Sequence, residues 1–167
     1  MNFFLSNLIR ILQKNPLKEF LANGSSLEEN SDAYDECTNT SLEILQVNDN
    51  PLGDEFLKFL KKKISDLREL DISRSNITKK GLKYLPRSLT SLNVSFCENL
   101  ELDKKSYNNL PDVSSLNISG SSVSLKNLKD FDLEKLYLSR CTVDNPKHFR
   151  FFKAKLAKLD VSYCNWI

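Results

Sequence analysis

The chain has 167 residues, with 24 Lys and Arg against 22 Asp and Glu and 40 % hydrophobic residues, the make-up of one ordinary globular domain. A formal net charge of +2 gives no case for nucleic acid, a membrane surface or an acidic substrate. No apolar run approaches the roughly 18 residues that a membrane-spanning helix needs.

Phe4, Leu5, Leu8, Ile9 and Leu12 trace one face of a helix over residues 2–14. Asn15-Pro16 ends it, because the residue before a proline is pushed out of the α region. The segment does not read as a secretion signal: no basic residue precedes the apolar stretch, Arg10 and Lys14 interrupt it, and no small-residue cleavage site follows. Residues 1–16 are therefore expected to form an N-terminal capping helix.

From Leu17 to the end one spacing recurs, clearest in Leu67-x-x-Leu70-x-Ile72-x-x-Ser75. The same frame opens at Leu42, Leu89, Val113, Leu133 and Leu156, with a looser copy at Leu17, and successive openings are 25, 25, 22, 24, 20 and 23 residues apart. Such a period marks leucine-rich repeats, where each copy is one unit that buries its apolar side only against its neighbours. The expected fold class is α/β, a solenoid of about seven repeats over residues 17–167. Its parallel β-sheet would line the concave side, with short helices and loops on the convex side.

The connections differ in character. Residues 28–41 are acidic and nearly without apolar side chains, and are expected to form a mobile loop. Gly53-Asp54 starts a helix that places Phe56, Leu57, Leu60 and Ile64 on one face, with Lys61, Lys62 and Lys63 on its solvated side. Residues 78–85 read as another short helix stopped by Pro86, whereas 103–112 and 124–132 carry little helical pattern. In 145–155, Phe149 and Phe152 are spaced to pack inward. The last copy completes a strand and turn, so either Trp166-Ile167 folds over the open strand edge or the array continues.

Within a copy, the first, fourth and sixth residues face the core, and the fifth, seventh and eighth point outward on the concave side. The ninth position reads Ser25, Asn50, Ser75, Cys97, Ser121, Cys141 and Cys164; a small polar side chain there can bond backbone groups left unpaired by the turn. The seventh column holds five serines, at 73, 95, 119, 139 and 162. They look like scaffold, because the only histidine, His148, falls in a return segment out of reach of any of them. Cys141 would be buried and neutral, so no catalytic residue is expected and the chain reads as a non-enzyme. No metal or cofactor is expected either, since the cysteine copies are interrupted by the Ser121 copy. Exposed aromatic and arginine side chains are the types that anchor interfaces. Partner binding is accordingly expected at Asp71, Arg74, Phe96, Tyr137, Arg140, Asp160 and Tyr163.

Stacked thiols suit a reducing compartment, cytoplasmic or nuclear. Asn23, Asn39, Asn76, Asn93 and Asn117 each head an Asn-x-Ser/Thr triplet, two of which (Asn93 and Asn117) arise from the repeat itself.

The copy running from Leu67 to Leu85, with Cys97, Cys141 and Cys164 at the ninth position of other copies, resembles the cysteine-containing subclass of leucine-rich repeats. That resemblance implies a protein-binding module, with substrate recognition for a cullin-type ubiquitin ligase, as in F-box proteins, as its specific form, and with ubiquitin-ligase components as partners. Leu85-Pro86-Arg87-Ser88-Leu89 also resembles the repeats of secreted bacterial effectors, which implies a host-directed recognition protein as the alternative. Neither resemblance implies nucleic acid or a membrane as partner.

Overall fold

Every copy of the repeat contributes one three-residue strand at its third to fifth positions. The strands are β1 (Glu19–Leu21), β2 (Ile44–Gln46), β3 (Glu69–Asp71), β4 (Ser91–Asn93), β5 (Ser115–Asn117), β7 (Lys135–Tyr137) and β9 (Lys158–Asp160). They form one seven-stranded parallel sheet in chain order, β1-β2-β3-β4-β5-β7-β9. This is a computed structural model; it describes residues 5–27, 41–152 and 155–167. The expected acidic loop, apart from Ser41, lies outside the described residues, as do Cys37 and Asn39.

Register explains how such short strands persist. Fourth-position leucines face one another across the whole sheet, Leu45↔Leu70, Leu70↔Leu92, Leu92↔Leu116 and Leu116↔Leu136. Leu45, Leu70, Leu92, Leu116 and Leu136 are all buried, and so are the first- and sixth-position residues of the same five copies. Both ends of the stack are less covered: Phe20 and Leu156 are only partly buried, and Leu159 is 42 % exposed.

α1 (Leu5–Lys14) precedes the first strand, and the return segments carry α2 (Asp54–Lys63), α3 (Lys104–Asn109) and α4 (Leu125–Leu128). Ile9 and Leu12 of α1 are buried against the first repeats, and α2 buries Phe56, Leu57, Phe59 and Leu60. Acidic Asp54 and Glu55 in the first turn of α2 and Lys61, Lys62 and Lys63 in the last suit the helix dipole. Two expectations need correction. Residues 103–112 do contain a helix, α3, held by a capping box in which Asp103 accepts from the Ser106 N–H while the Ser106 hydroxyl accepts from the Asp103 N–H. Residues 124–132 contain α4. By contrast, the helix expected over 78–85 shrinks to a 3₁₀ turn at Leu82–Tyr84, and the 145–155 segment is a 3₁₀ helix at Pro146–Phe151. Pro86 cuts the first of these short, since it cannot continue a helix.

Carboxylates staple neighbouring return segments. Asp54 accepts from the Thr78 N–H at 2.9 Å and from the Thr78 hydroxyl at 2.7 Å. Gly81 packs directly beneath it: a Cβ there would lie 2.2 Å from Asp54 Oδ1. Further along, Asp144 accepts from the Ser124 hydroxyl at 2.7 Å and the Leu125 N–H at 2.8 Å. A second parallel sheet of three two-residue strands, β6 (Ser122–Val123), β8 (Thr142–Val143) and β10 (Asn165–Trp166), ties the last turns together in the order β10-β8-β6. Trp166 is thus paired beside β8 rather than folded across the outer edge of β9, and it remains 40 % exposed.

The ninth position does what its side-chain chemistry suggests. Asn50, 1 % exposed, donates to the Ala22 and Val47 carbonyls at 2.8 and 2.9 Å and accepts from the Leu27 N–H at 2.8 Å. Cys97, Cys141 and Cys164 each donate their S–H to the sixth-position carbonyl of the preceding repeat, on Ile72, Ile118 and Leu138. Asn50→Ala would orphan the Leu27 N–H and two or more carbonyls in the interior. It should lower stability by about 3 kcal/mol in urea unfolding, whereas Ser25→Ala, at an exposed position, should change it by less than about 0.5 kcal/mol.

Candidate functional site

Two surfaces are free of return segments. One is the open face of the sheet, where Gln46, Glu69, Asp71, Asn93, Asn117 and Tyr137 line a shallow depression of about 260 Å³. The other is the rim where the strands end. Here the structure revises the sequence reading. The eighth column does not lie on the sheet at all: it forms the turn that follows each strand, and every member has a left-handed backbone. Gly24, Asp49, Arg74, Phe96, Gly120, Arg140 and Tyr163 have φ between +55° and +79°. Side chains there project from the rim, not from the concave sheet.

A hydrogen bond holds that backbone in place in each repeat but the last. The eighth-position N–H donates to the seventh-position carbonyl of the next repeat: Asp49 to Ser73, Arg74 to Ser95, Phe96 to Ser119, Gly120 to Ser139 and Arg140 to Ser162, all at 2.8–3.0 Å. For residues with a Cβ this conformation costs about 1–2 kcal/mol. It persists because the bond on each side fixes the turn, and it stacks the eighth-position side chains into a ridge one strand spacing apart.

Four of the seven expected contact residues stand on this ridge, in two pairs. The Arg74 guanidinium lies 5.0 Å from the Phe96 ring centre and 3.8 Å from the Asp49 carboxylate. The Arg140 guanidinium lies 5.5 Å from the Tyr163 ring, which is 83 % exposed. Gly120 separates the pairs, and the reason for glycine is visible: a Cβ would come within 2.6 Å of the Phe96 ring, which leans across it. Behind the ridge runs a cleft of about 640 Å³, closed on its far side by the loop that leads into α3. Glu98, Glu101 and Asp103 give that wall a negative charge, partly offset by Lys79, which lies 3.2 Å from Glu101 and 3.4 Å from Asp103. These acids escaped the sequence reading because they belong to a connection of irregular length, outside any repeat column.

The other three expected residues lie on the open face, and two of them have structural work as well. Asp71 accepts from the Ser73 N–H and hydroxyl through one oxygen and from the Asn93 side chain through the other. Asp160 accepts from the Ser162 N–H, and its carboxyl is held below the usual range by the Ser162 hydroxyl and N–H and then by Lys158. Asn93 and Asn117 close the same turn onto Ser95 and Ser119. The fifth and seventh columns thus pair as Asx turns, which explains their Asn-x-Ser triplets. Tyr137 is different: it makes no such turn, and Lys158 sits 5.0 Å over its ring. The seventh-column serines at 73, 95 and 119 are buried. His148 stands across the sheet from them, on the Pro146–Phe151 helix, with Nδ1 3.6 Å from Asp144.

Comparison with known proteins settles the architecture. A leucine-rich-repeat family model matches residues 38–58 and 63–85. The chain superposes on an internalin from Listeria monocytogenes with a TM-score of 0.66 and 20 % identity, covering 98 % of this chain and 45 % of that one. The fold is a leucine-rich-repeat solenoid. A plant peptide hormone receptor solved with its peptide shows 21 % identity over 90 % of this chain and 33 % of its own, with a TM-score of 0.42. This leucine-rich-repeat chain therefore spans less than half the length of either protein. No curated protein matches its sequence. Among the described residues no helix is long and apolar enough to cross a membrane, and no cluster of His, Cys, Asp or Glu is arranged to hold a metal.

Burial pushes the Cys97 thiol up and the Cys141 thiol up to about 11. Both should resist alkylation at pH 8 while the protein is folded, and half-buried Cys164 should react before them; urea should release all three. Because the unfolded Cys141 thiol ionises near roughly 8.5, the folded state holds the extra proton between that value and about 11. Its contribution to stability is complete below the lower value and is lost as pH rises through the window.

Proposed function

We propose that this chain is a non-enzymatic protein-binding module that grips a partner protein across its rim ridge and the adjoining open face. The observation that carries this reading is the ridge itself, with the Arg74–Phe96 and Arg140–Tyr163 pairs displayed on a line of left-handed turns. Arginine and aromatic side chains held rigidly at a surface lose little conformational freedom on binding and supply most of the energy in protein interfaces. Tyr137 continues the patch onto the sheet, and the bed of small Ser and Asn side chains between allows a partner backbone to approach closely. The plant receptor complex offers no support, since its overlap with this chain is too poor, and the likeness to the internalin extends to fold alone.

Its narrower form is the recognition arm of a cullin-type ubiquitin ligase, resting on the cysteine column, whose reduced thiols also favour the cytoplasm or nucleus. The second reading is a secreted or host-facing recognition protein. Asn93 argues against use of at least that glycosylation triplet, since its amide donates to Asp71 at 2.9 Å while its carbonyl closes the Ser95 turn.

Affinity capture followed by mass spectrometry should return a defined partner set with the wild-type chain and lose it with Phe96→Ala combined with Tyr137→Ala. Identical sets from both proteins would remove the ridge assignment. Absence of a cullin adaptor from the captured set would remove the ligase form while leaving the binding module standing.

A further inference from the structure

The even overall charge conceals a sharp segregation. Residues 1–144 carry 19 Lys and Arg against 21 Asp and Glu, whereas residues 145–167 carry five cations and a single acid, Asp160. Part of this positive segment faces the back of the solenoid. There α4 and the Pro146–Phe151 helix enclose a cleft of about 380 Å³, lined by Lys126, Lys129, Asp130, His148 and Phe151. Lys147 and Arg150 stand exposed beside it.

Three side chains bear on what the cleft could hold. Phe151 is 50 % exposed although it is a large apolar ring, and the Arg150 guanidinium lies 4.6 Å from its centre. His148 Nδ1 is buried without a hydrogen bond, the 3.6 Å to Asp144 Oδ1 being too long for one. Asp144 accepts from the Ser124 hydroxyl and the Leu125 N–H, and its charge offsets one of the cations at the cleft's edge. Asp130 is the remaining acid, and it stands 3.9 Å from Lys129.

We propose that this cleft seats the phosphate headgroup of an anionic lipid surface. Lys126 and Lys129 meet the phosphate oxygens, and Lys147 and Arg150 add the diffuse positive field that draws a protein to an acidic bilayer. Phe151 takes the headgroup level, where amphipathic and aromatic side chains are at home beside cations. A nucleic acid fits less well, because the Phe151 face already carries Arg150 and the neighbouring His148 ring is tilted at 42° to it, which gives no continuous stacking track. The site lies across the sheet from the rim ridge and is independent of the protein-binding reading. It departs from the expectation of no membrane, which rested on the small net charge, the lack of a long apolar run and the family resemblances.

Vesicle flotation with the full chain tests it. Vesicles of phosphatidylserine mixed with phosphatidylcholine should carry the protein, and phosphatidylcholine alone should not. Lys126→Ala with Lys129→Ala should weaken binding by at least about tenfold, and Phe151→Ser should weaken it too. The matched pair Lys104→Ala with Lys105→Ala on α3, and the ridge variant Phe96→Ala, should leave it unchanged. Circular dichroism should show all variants folded. Equal losses from the two lysine pairs would overturn the proposal, as would flotation with phosphatidylcholine alone. Displacement from the vesicles by a single-stranded oligonucleotide at matched phosphate concentration would assign the cleft to nucleic acid instead. Inorganic phosphate that shifts the His148 resonance without any flotation would reduce it to a free-anion site, and the lipid assignment would fall.

Discussion

The structure depends on one hydrogen bond repeated along the rim, from the eighth-position N–H of each repeat to the seventh-position carbonyl of the next. Strands of three residues make too few ladder bonds to define a sheet edge by themselves. Continuing the ladder past the strand into a left-handed turn locks the direction in which the chain leaves the sheet. Once that direction is set, the ninth side chain is driven inward and the eighth outward. The inward one bonds the preceding repeat, and the outward one joins a ridge. Core packing and display surface are therefore two consequences of the same backbone constraint.

This coupling explains a tolerance that composition alone would not suggest. Asparagine and cysteine are chemically remote, yet Asn50, Cys97, Cys141 and Cys164 all reach a sixth-position carbonyl one repeat back. What the position requires is a donor long enough to span the gap and apolar or fully bonded enough to be buried. Serine is shorter, and Ser75 turns instead to the neighbouring Cys97 sulfur at 3.5 Å. The column thus tolerates a mixture of side chains, with burial pushing the Cys97 and Cys141 thiols up.

Much of this was legible in the chain because it is written as a period. The alternation around Leu70 or Leu92 carries the strand, its order in the sheet and its buried face, and each follows from repetition of one frame. The parts that escaped are those the period does not carry. Helix α3 is signalled only by Asp103 and Ser106, a capping pair lacking the usual glutamate, and the helix is too short for apolar periodicity to register. The rim acids Glu98 and Glu101 sit in a connection whose length is not repeated. Assignment of the eighth column to the concave sheet failed for a different reason. Alternation predicts outward side chains only while the backbone stays extended, and nothing in Arg, Phe or Tyr announces φ near +55°, although Asp49 is of a type that adopts it more readily. Glycine at 24 and 120 was the clearer hint, since it is the residue that adopts that conformation freely.

That hint also bears on how the ridge can vary. A column with positive φ excludes β-branched residues on steric grounds, and it places whatever remains at the surface without burying it. Selection on such a position acts through what the side chain meets outside, or through the neighbour it stacks upon. Phe96 is held between the Arg74 guanidinium and the bare backbone of Gly120, so its orientation is determined from within the protein. Tyr163 is supported on one side by Arg140 alone and is 83 % exposed. The ridge therefore runs from Phe96, braced on both sides, toward Tyr163, which a single neighbour supports.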